Sequence, residues 1–368
     1  MPVSAAVAQA LQDIGYTSPT PVQEQVIPAV HAGEDVVGQA QTGTGKTAAF
    51  GIPLVESVDP DANDVQALVL VPTRELAVQV TEELTRIGQY SRLGSVAIYG
   101  GQAMSRQMES LRRAAHIIIA TPGRLMDHMD RGTIHLGRVR FVVLDEADQM
   151  LDIGFADDVE RILRRTPKTR QTLLFSATMP GPIRRLAYRY MKDPIWVRVG
   201  GDAEPVEQVA QSYFEVAERD RPAALEELLK DPEQVTQALV FRRTKIGVDR
   251  LTAYLRRRGY DIDAIHGDMT QSQRDGVMGR FRAKRLRILV ATNVAARGLD
   301  IPAVSHVINY DVPSNVEEYV HRIGRTARMG RPGAAITFVS EWDFEILNTI
   351  QAHVGDELKE AKLALYSR

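Results

Sequence analysis

Two short strings in this sequence carry residue types that suit the chemistry of phosphates. Residues 40–47 read AQTGTGKT, and residues 145–148 read DEAD. The first string fits the pattern G-x-x-x-x-G-K-[ST] except at its first position, where Ala40 replaces Gly. In such a loop, backbone N–H groups turn inward onto phosphate oxygens, the lysine reaches the β- and γ-phosphates, and the Thr hydroxyl is placed to ligate Mg²⁺. The residues predicted to bind the nucleotide here are Ala40, Gln41, Thr42, Gly43, Thr44, Gly45, Lys46 and Thr47.

The acidic string follows the apolar run FVVL. Such a run is typical of a parallel strand that is buried on both faces. The carboxyl ends of parallel strands form the edge at which open α/β sheets bind nucleotides, so Asp145 and Glu146 are expected at that edge. A Gly-rich loop alone is weak evidence. Combined with the GKT ending and a strand-borne acidic pair, it indicates a protein that binds and cleaves ATP.

The rest of the sequence supplies the elements that would position these residues. Short apolar runs alternate with helical patterns such as TRELAVQVTEELTRIG and VDRLTAYLRRRG. The pattern stops at the polar stretch GGDAEPVEQ and then resumes. We therefore predict an α/β protein with two tandem parallel-sheet domains, residues 1–199 and 208–368, joined by a short flexible linker at 200–207. The predicted strands lie in QALVLVPT, HIIIATPG, FVVLDEAD, TLLFSAT, ALVFRRT, DIDAIHGD, RILVATN, HVINYDVP and AAITFVS.

Composition excludes several classes of protein. The 368 residues include 45 Lys and Arg against 47 Asp and Glu, a net charge of −2, and no cysteine. Disulfides, thiol nucleophiles and Cys-ligated zinc are therefore excluded. No apolar stretch suits a membrane span or a secretory signal, so we expect a soluble, cytoplasmic protein. Because aromatics make up only 6% of the residues, base stacking is not expected to dominate any nucleic-acid contact.

Polar residues recur where predicted strands end. Thr73-Arg74, TPGR at 121–124, Asp145-Glu146, SAT at 176–178 and Thr292 all follow such strands. Each alone could be an ordinary turn in which a Ser or Thr caps the next helix. Together they indicate a ligand-binding edge on each sheet.

In order and spacing, these strings resemble the DEAD-box family of ATP-dependent RNA helicases, in particular its bacterial members. The resemblance covers nearly the whole chain and implies two RecA-like domains, ATP and Mg²⁺ as cofactors, and RNA as the partner. The implied activity is RNA-stimulated ATP hydrolysis coupled to local, non-processive unwinding of short RNA duplexes. The strings that carry it are GYTSPTPVQ (15–23), AQTGTGKT, PTREL (72–76), Gly100-Gly101, TPGR, DEAD, SAT, LVFRRT (239–244), Q-x-x-R (271–274), ATNVAARGLD (291–300) and HRIGRTAR (321–328).

In the first domain, the resemblance implies that Gln23 recognises the adenine edge, in a string whose Tyr16 and Thr17 also contact the nucleotide. Asp145 holds Mg²⁺ with Thr47, partly through water, and Glu146 positions or deprotonates the attacking water. Together with Lys46, these residues form the first domain's share of the catalytic site.

In the second domain, the resemblance implies that Arg325 and Arg328 act as arginine fingers on the γ-phosphate. Asp300 lies near the ribose, and Gly298 belongs to the same nucleotide-binding string. His321 is counted among the catalytic residues. With Asp148, Ser176 and Thr178 of the first domain, it is implied to couple the two domains.

The implied RNA contacts grip the RNA backbone and read little base sequence. They come from both domains: Arg74, Gly101, Thr121, Arg124, Gln271, Arg274 and Thr292. Protein cofactors in ribonucleoprotein complexes are compatible with the resemblance, and the core is expected to be monomeric.

The sequence departs from the family pattern at a few points. The aromatic residue that members usually carry upstream of Gly15 is not in this sequence, and Ala327 stands where many members have Gly. His128, which lies between Met126 and Met129, is predicted to be part of a helix surface and core without a metal role. Two alternatives stay open: an ATP-gated RNA clamp without significant unwinding, and a DNA helicase or another P-loop ATPase. The DEAD string and Gln23 argue against the latter.

Overall fold

The structure, a computed structural model, describes residues 3–40, 43–199, 209–296, 301, 304–327 and 333–362. The chain divides into two compact units, Met1–Gly201 and Asp202–Arg368. The predicted linker at 200–207 lies outside the described residues. Among the helices that are described, none has the length and apolar character needed to cross a membrane.

In the first unit, strands alternate with helices along the chain. Its strands are β1 (Val36–Gln39), β2 (Ala67–Leu70), β3 (Ser95–Ile98), β4 (Ile117–Ala120), β5 (Phe141–Leu144), β6 (Gln171–Ser176) and β7 (Ile195–Arg198). Its helices are α1 (Ala5–Ile14), α2 (Pro21–His31), α3 (Lys46–Ser57), α4 (Arg74–Ile87), α5 (Met104–Ala114), α6 (Pro122–Asp130), α7 (Ala147–Asp152), α8 (Ala156–Arg164) and α9 (Gly181–Tyr190).

The second unit repeats this alternation. Its strands are β8 (Val209–Glu215), β9 (Ala238–Arg242), β10 (Ile262–Ile265), β11 (Ile288–Thr292), β12 (His306–Asn309), β13 (Gly333–Val339) and β14 (Leu358–Glu360). Its helices are α10 (Arg221–Leu229), α11 (Lys245–Arg256), α12 (Gln271–Arg282), α13 (Asn293–Ala296), α14 (Val316–Ile323) and α15 (Phe344–Val354), followed by a 3₁₀ turn at Gly355–Glu357.

Within the described residues, each unit contains one seven-stranded sheet, and the two sheets share one strand order. The first runs β3-β4-β2-β5-β6-β1-β7 and the second β10-β11-β9-β12-β13-β8-β14. The paired strands are parallel in both sheets. The predicted α/β architecture, present twice, is confirmed. Because all strands of a sheet point the same way, the loops that leave their carboxyl ends gather along one edge.

Each sheet is buried on both faces, as the apolar runs predict. In β5, Val143 packs into one core while Val142 and Leu144 pack into the other. In β9, Val240 faces one core, and Leu239 and Phe241 face the opposite one. This alternation arises because successive side chains of a strand point to opposite faces. The buried strands therefore hold their carboxyl ends in fixed positions.

All nine predicted strands are present, and the two predicted helices are α4 and α11. The strand ends differ slightly from the expectation at two positions. Ser176 and Thr292 are the last residues of β6 and β11 and do not lie beyond them. Both still lie at the carboxyl edge of their sheets. Each strand extends one residue beyond the apolar run from which its end was predicted.

Candidate functional site

The phosphate loop connects β1 to the first residue of α3. Gly43 and Gly45 adopt φ values of 89° and 88°, in the left-handed region that favours glycine. Lys46 begins α3 and is buried, and its Nζ donates a hydrogen bond to the Ala40 carbonyl oxygen at 2.9 Å. The predicted loop residues Gln41 and Thr42 lie outside the described residues. The loop thus holds its lysine ammonium against its own backbone.

Gln23 connects this loop to the start of α2. Its Oε1 accepts a hydrogen bond from the Thr20 backbone N–H at 3.0 Å, and its Nε2 donates to the Gly45 carbonyl at 3.1 Å. A Cβ atom at Gly45 would lie 2.5 Å from that Nε2, so the contact requires glycine. The side chain is 1% exposed. Its amide therefore bridges the predicted adenine-recognition string and the phosphate loop.

The other two residues predicted to contact the nucleotide in this string, Tyr16 and Thr17, have different surroundings. The Tyr16 hydroxyl donates to Glu83 Oε1 at 2.7 Å, and burial together with this carboxylate raises the pKa of the hydroxyl. Thr17 is exposed. The phenol is therefore anchored on α4, whereas Thr17 is open to solvent.

The acidic pair lies where β5 ends. Asp145 is buried, and its Oδ1 accepts from the Glu146 backbone N–H at 3.0 Å. Burial raises the pKa of Asp145, and the positive charge of Lys46 opposes that shift. Glu146 adopts φ 52° and ψ 50°, a left-handed conformation that costs a non-glycine residue roughly 1–2 kcal/mol. Its Oε2 accepts a hydrogen bond from Gln149 at 2.7 Å.

The SAT string is bound to α7 through Asp148. Asp148 Oδ2 accepts hydrogen bonds from both the backbone N–H and the hydroxyl of Thr178, each at 2.9 Å. Ser176 Oγ accepts from the Asp148 backbone N–H at 3.2 Å. These bonds lie within the first unit. They make the end of β6 and the start of α7 one rigid piece, and the predicted coupling to the second unit stays a prediction.

The predicted RNA residues of the first unit follow β2, β3 and β4, which form the opposite half of the same sheet edge. A Cβ atom at Gly101 would lie 2.6 Å from Arg74 Nη1, so the guanidinium of Arg74 lies against this glycine. Arg124 Nη1 donates to the Gln102 carbonyl at 3.0 Å. Thr121 donates its backbone N–H to Ile98. The three loops thus contact one another, and the structure brings all four predicted residues together.

A buried hydrogen-bond network beneath Arg124 was not predicted from the sequence. Gln107 is 1% exposed, and its Nε2 donates to the Tyr99 carbonyl at 2.8 Å. Its Oε1 faces Arg124 Nη1 at 3.4 Å and His128 Nε2 at 3.0 Å. His128 Nδ1 lies 2.8 Å from the Thr133 hydroxyl. The prediction that His128 belongs partly to a helix surface is wrong, because its side chain is fully buried.

The charge state of His128 follows from its surroundings. Burial lowers the pKa of its imidazole, and the Arg124 guanidinium acts in the same direction. Because the Gln107 amide nitrogen is used as a donor, the facing oxygen accepts, so the neutral imidazole carries its proton on Nε2. The network therefore fixes Arg124 with a neutral histidine.

The predicted RNA residues of the second unit lie in α12, which follows β10, and at the end of β11. These two strands belong to the half of the sheet that is equivalent to β3-β4-β2. Gln271 begins α12, and its Nε2 donates to Asp275 at 2.8 Å. Arg274 is buried, and its Nη2 donates to the Ala295 carbonyl at 3.4 Å. Thr292 Oγ1 accepts from the Ala295 N–H at 3.4 Å. Ala295 thus connects Arg274 to Thr292.

The predicted arginine-finger segment is held by a buried ion pair. Arg322 pairs with Glu318 and donates to Asn309 Oδ1 at 3.1 Å, which attaches α14 to β12. Although burial opposes it, the charge of Arg322 lowers the pKa of Glu318. His321 lies in α14, and Arg325 follows that helix and is buried. Predicted residues Gly298, Asp300 and Arg328 lie outside the described residues.

The donor atoms suit Mg²⁺ better than a transition metal. Asp145 and Thr47 offer a carboxylate and a hydroxyl, the oxygen donors that Mg²⁺ prefers, and Mg²⁺ usually takes further oxygens from phosphates and water. Across the described residues, no group of three or more His, Cys, Asp or Glu is arranged to hold a metal ion by itself. The residues present therefore fit a magnesium ion that arrives with a nucleotide.

The class of protein follows from three features. The chain has a phosphate loop, an acidic pair at the end of a strand and two parallel sheets of one topology, which together define a two-unit P-loop ATPase. Comparisons with known proteins narrow this class. The family profile "DEAD/DEAH box helicase" matches residues 20–186, and "Helicase conserved C-terminal domain" matches residues 220–330. The chain belongs to the DEAD-box family of ATP-dependent RNA helicases.

Individual relatives agree with this assignment. The chain is 50% identical to the DEAD-box ATP-dependent RNA helicase CshA of Bacillus licheniformis over 95% of its own length and 72% of that protein's. Its fold matches Saccharomyces cerevisiae Dbp5 bound to RNA and ADP BeF3 with a TM-score of 0.87 and 33% identity, over 98% of this chain and 94% of that one. It matches the DEAD-box helicase Mss116 bound to ssRNA and UDP-BeF with a TM-score of 0.90 and 30% identity, over 99% and 79% of the two chains.

Proposed function

We propose that this protein hydrolyses Mg·ATP in an RNA-stimulated reaction and uses it to separate short RNA duplexes locally. One observation carries the proposal: the carboxyl edge of the first sheet holds a phosphate loop and a buried acidic pair on one half, and a cluster of contacting Arg, Thr and Gly loops on the other. Nucleotide and RNA sites on one rigid edge allow each to influence the other.

On the nucleotide half, each residue has a part that its geometry supports. Lys46 exchanges the Ala40 carbonyl for the β- and γ-phosphates. Thr47 and Asp145 would hold Mg²⁺, which would supply charge stabilisation to the transferred phosphoryl group. Glu146, bonded to Gln149, orients the attacking water or takes its proton.

The base of the nucleotide is read beside α2. Gln23 recognises the adenine edge, and Tyr16 and Thr17 line the same site. The contact between Gln23 and Gly45 supports this assignment, because a residue that touches both the base and the loop transmits the presence of adenine to the phosphate site.

The second unit supplies further positive charge to the catalytic site. Arg325 and Arg328 act on the γ-phosphate, where an arginine finger is worth about 10³–10⁵ in rate. Gly298 and Asp300 contact the nucleotide, and His321 acts with Asp148, Ser176 and Thr178 to couple the units. The ion pair that fixes α14 supports this role, since it places Arg325 on a rigid support.

The RNA is gripped through its backbone. Arg74, Gly101, Thr121 and Arg124 act from the first unit, and Gln271, Arg274 and Thr292 act from the equivalent half of the second. Because these groups suit phosphates and sugars, we infer little base specificity and a preference for RNA through the 2′-hydroxyl. A strand held by both units and bent on closure cannot stay paired, so melting is local.

The test compares ATPase stimulation by matched single-stranded RNA and DNA, and strand displacement against duplex length. We expect RNA to stimulate far more than DNA, and unwinding to fall steeply with duplex length. Equal stimulation by DNA, or efficient unwinding of long duplexes, would indicate a translocating helicase. RNA-stimulated hydrolysis without any strand displacement would indicate an ATP-gated clamp.

A further inference from the structure

An exposed aromatic pair lies on the first unit, far along the sheet from the predicted RNA loops. Trp196 on the edge strand β7 is 45% exposed, and Tyr188 on α9 is 72% exposed. Their ring centroids are 6.2 Å apart and the ring planes are inclined by 46°. The rings contact each other, so they present a joint face to solvent and leave no slot between them. Exposed apolar side chains that contact one another form a patch, and patches mark binding surfaces more often than single exposed side chains do.

The pair borders a groove with a volume of about 430 Å³. Met179, Arg184 and Arg198 line this groove together with the two rings. The size lies within the range of ligand pockets. We call these five residues, Met179, Arg184, Tyr188, Trp196 and Arg198, the aromatic patch. It combines apolar ring faces with guanidinium groups in one concave surface.

The patch lies in a basic segment of a chain whose charges are otherwise nearly balanced. Residues 181–198 contain one acid, Asp193, and the following five cations: Arg184, Arg185, Arg189, Lys192 and Arg198. The whole chain has a net charge of −2. Arg189 pairs with Glu160 of α8 at 3.0 Å. Arg184 and Arg198 line the groove. The local charge is complementary to a polyanion.

We propose that the aromatic patch is a second binding site for single-stranded RNA, separate from the predicted RNA loops. Bases stack on the joint face of Trp196 and Tyr188, and Arg184 and Arg198 bind the adjacent phosphates. Exposed aromatic rings beside cations are the combination by which proteins hold single strands without reading sequence. Arginine planes also stack on unpaired bases. An acidic peptide would match the charge, but it would not require an exposed ring face.

The position of the patch gives it a distinct role. β7 lies at one end of the first sheet, and β2, β4 and β3 lie at the other. With neighbouring strands about 4.8 Å apart, the two regions are roughly 20–30 Å from each other along the edge. A strand that occupies one region therefore needs several more nucleotides to reach the other. The patch would hold a flanking single-stranded segment and keep the RNA tethered between rounds of ATP hydrolysis.

The chain offers a direct probe, because it contains only two tryptophans. The substitution Trp342→Phe leaves Trp196 as the sole tryptophan, so its emission reports on the patch. We expect oligouridine RNA, added to this variant without nucleotide, to quench that emission, and an abasic ribose-phosphate oligomer of the same length to quench it far less. The reciprocal variant Trp196→Phe retains only Trp342, which is 83% exposed on the second unit, and its emission should not respond.

A second measurement compares the RNA affinity and the ATPase rate of variants at Trp196. In Trp196→Ala, affinity for a long single strand in the absence of nucleotide should fall by about five- to a hundredfold, the range expected for loss of one stacked base. The maximal RNA-stimulated ATPase rate should be retained, so failure of this proposal can be told apart from failure of the proposed helicase activity. Trp196→Phe preserves a ring and should restore most of the affinity.

Three outcomes would overturn the proposal. Equal quenching by RNA and by the abasic oligomer would show that only charge is recognised. Quenching by a glutamate-rich peptide, with no response to RNA, would assign the surface to an acidic protein partner. Unchanged RNA affinity in Trp196→Ala would show that the patch does not bind RNA.

Discussion

Glu146 combines a left-handed backbone with a carboxylate held by Gln149. Such strain persists where the surrounding structure fixes it, and it occurs often at catalytic positions. Here the buried ends of β5 and α7 determine the backbone, and a hydrogen bond from Gln149 directs the carboxylate. Contacts within the first unit therefore orient Glu146.

Glu146→Gln should stall hydrolysis while ATP binding persists, because Asp145 and Thr47 still hold the metal. The rate of the chemical step should fall by about 10²–10⁴, the usual contribution of a general base. RNA should dissociate more slowly in the presence of ATP. Single-turnover hydrolysis and RNA release measure both effects, and Glu345→Gln, at an exposed glutamate on α15, is the control. RNA release as fast as in the parent would remove Glu146 from this role.

Ala327 has a φ of 50°, so it occupies a conformation that favours glycine. This predicts a gain in stability from Ala327→Gly. Relief of roughly 1–2 kcal/mol of strain exceeds the added chain entropy of about 0.4–1 kcal/mol, so the melting temperature should rise slightly. Ala253→Gly, in the ordinary helical backbone of α11, should lower it by comparison. A lower melting temperature for Ala327→Gly would show that the strain is absent.

At the scale of elements, the loops after β2, β3 and β4 are held together by side chains that no sequence pattern singled out. Gln107 on α5 and His128 on α6 join two helices beneath Arg124. Neither residue is among those predicted to bind RNA or nucleotide. Their contribution is to position Arg124, so their loss should affect RNA binding more than catalysis.

Gln107→Leu leaves the Arg124 guanidinium and His128 Nε2 without their shared acceptor. Leaving a buried polar group unsatisfied costs about 1–3 kcal/mol. We expect the RNA concentration for half-maximal ATPase stimulation to rise roughly five- to a hundredfold, with the rate at saturating RNA retained. Gln89→Leu, an exposed position in the same unit, is the matched control. A fall in the saturated rate with unchanged RNA dependence would place Gln107 in the catalytic step instead.

His128 should also give the first unit a pH-dependent stability. Its pKa is lowered in the folded protein, so the unfolded chain takes up a proton at higher pH than the folded one does. The free energy of unfolding therefore decreases as the pH falls below the unfolded value of about 6.5. His128→Asn should weaken this decrease between pH 7.5 and 5.5, whereas His135→Asn, at an exposed site, should not. Identical pH profiles for parent and His128→Asn would contradict it.

The sequence predicted the elements best where burial is complete. β2, β4, β5 and β9 are continuous apolar runs because both faces of each strand are covered. The edge strands β3 and β7 of the first sheet were not identified, since they are only partly buried and lack such runs. β1 is four residues long and includes Gly38, which leaves too little signal.

The features of the candidate site also differ in how far the sequence predicted them. The phosphate loop and acidic pair were predictable because phosphate chemistry requires particular residues at fixed spacing. The bonds from Gln23 to Gly45 and from Gln107 to His128 were not, since each joins residues about twenty positions apart whose proximity depends on how the helices pack. The aromatic patch was not predicted either, because the low content of aromatic residues gave no reason to expect base stacking.

At the scale of the whole molecule, one sheet topology appears twice, but only the first copy carries a phosphate loop. This supports a division of labour in which the second unit supplies arginines to a nucleotide that the first unit binds. Arg325→Ala should lower RNA-stimulated turnover by about 10³-fold or more. ATP affinity of the separate segment 1–199 should match that of the intact chain in the absence of RNA. Arg282→Ala, at an exposed arginine of the same unit, is the control. Hydrolysis by segment 1–199 as fast as by the whole chain would exclude a catalytic contribution from Arg325.

The strand order also has a consequence during synthesis. β1, which carries the phosphate loop, ends at Gln39, but its neighbours in the sheet are β6 and β7, and β6 begins only at Gln171. A ribosome adding roughly 5–20 residues per second needs on the order of 10 s to make the partner that closes the sheet around this strand. During that interval the first strand of the nascent chain is unpaired and apolar. Nascent chains arrested before β6 should therefore fail to retain ATP and should bind chaperones, while chains arrested after β7 has left the ribosome should retain it.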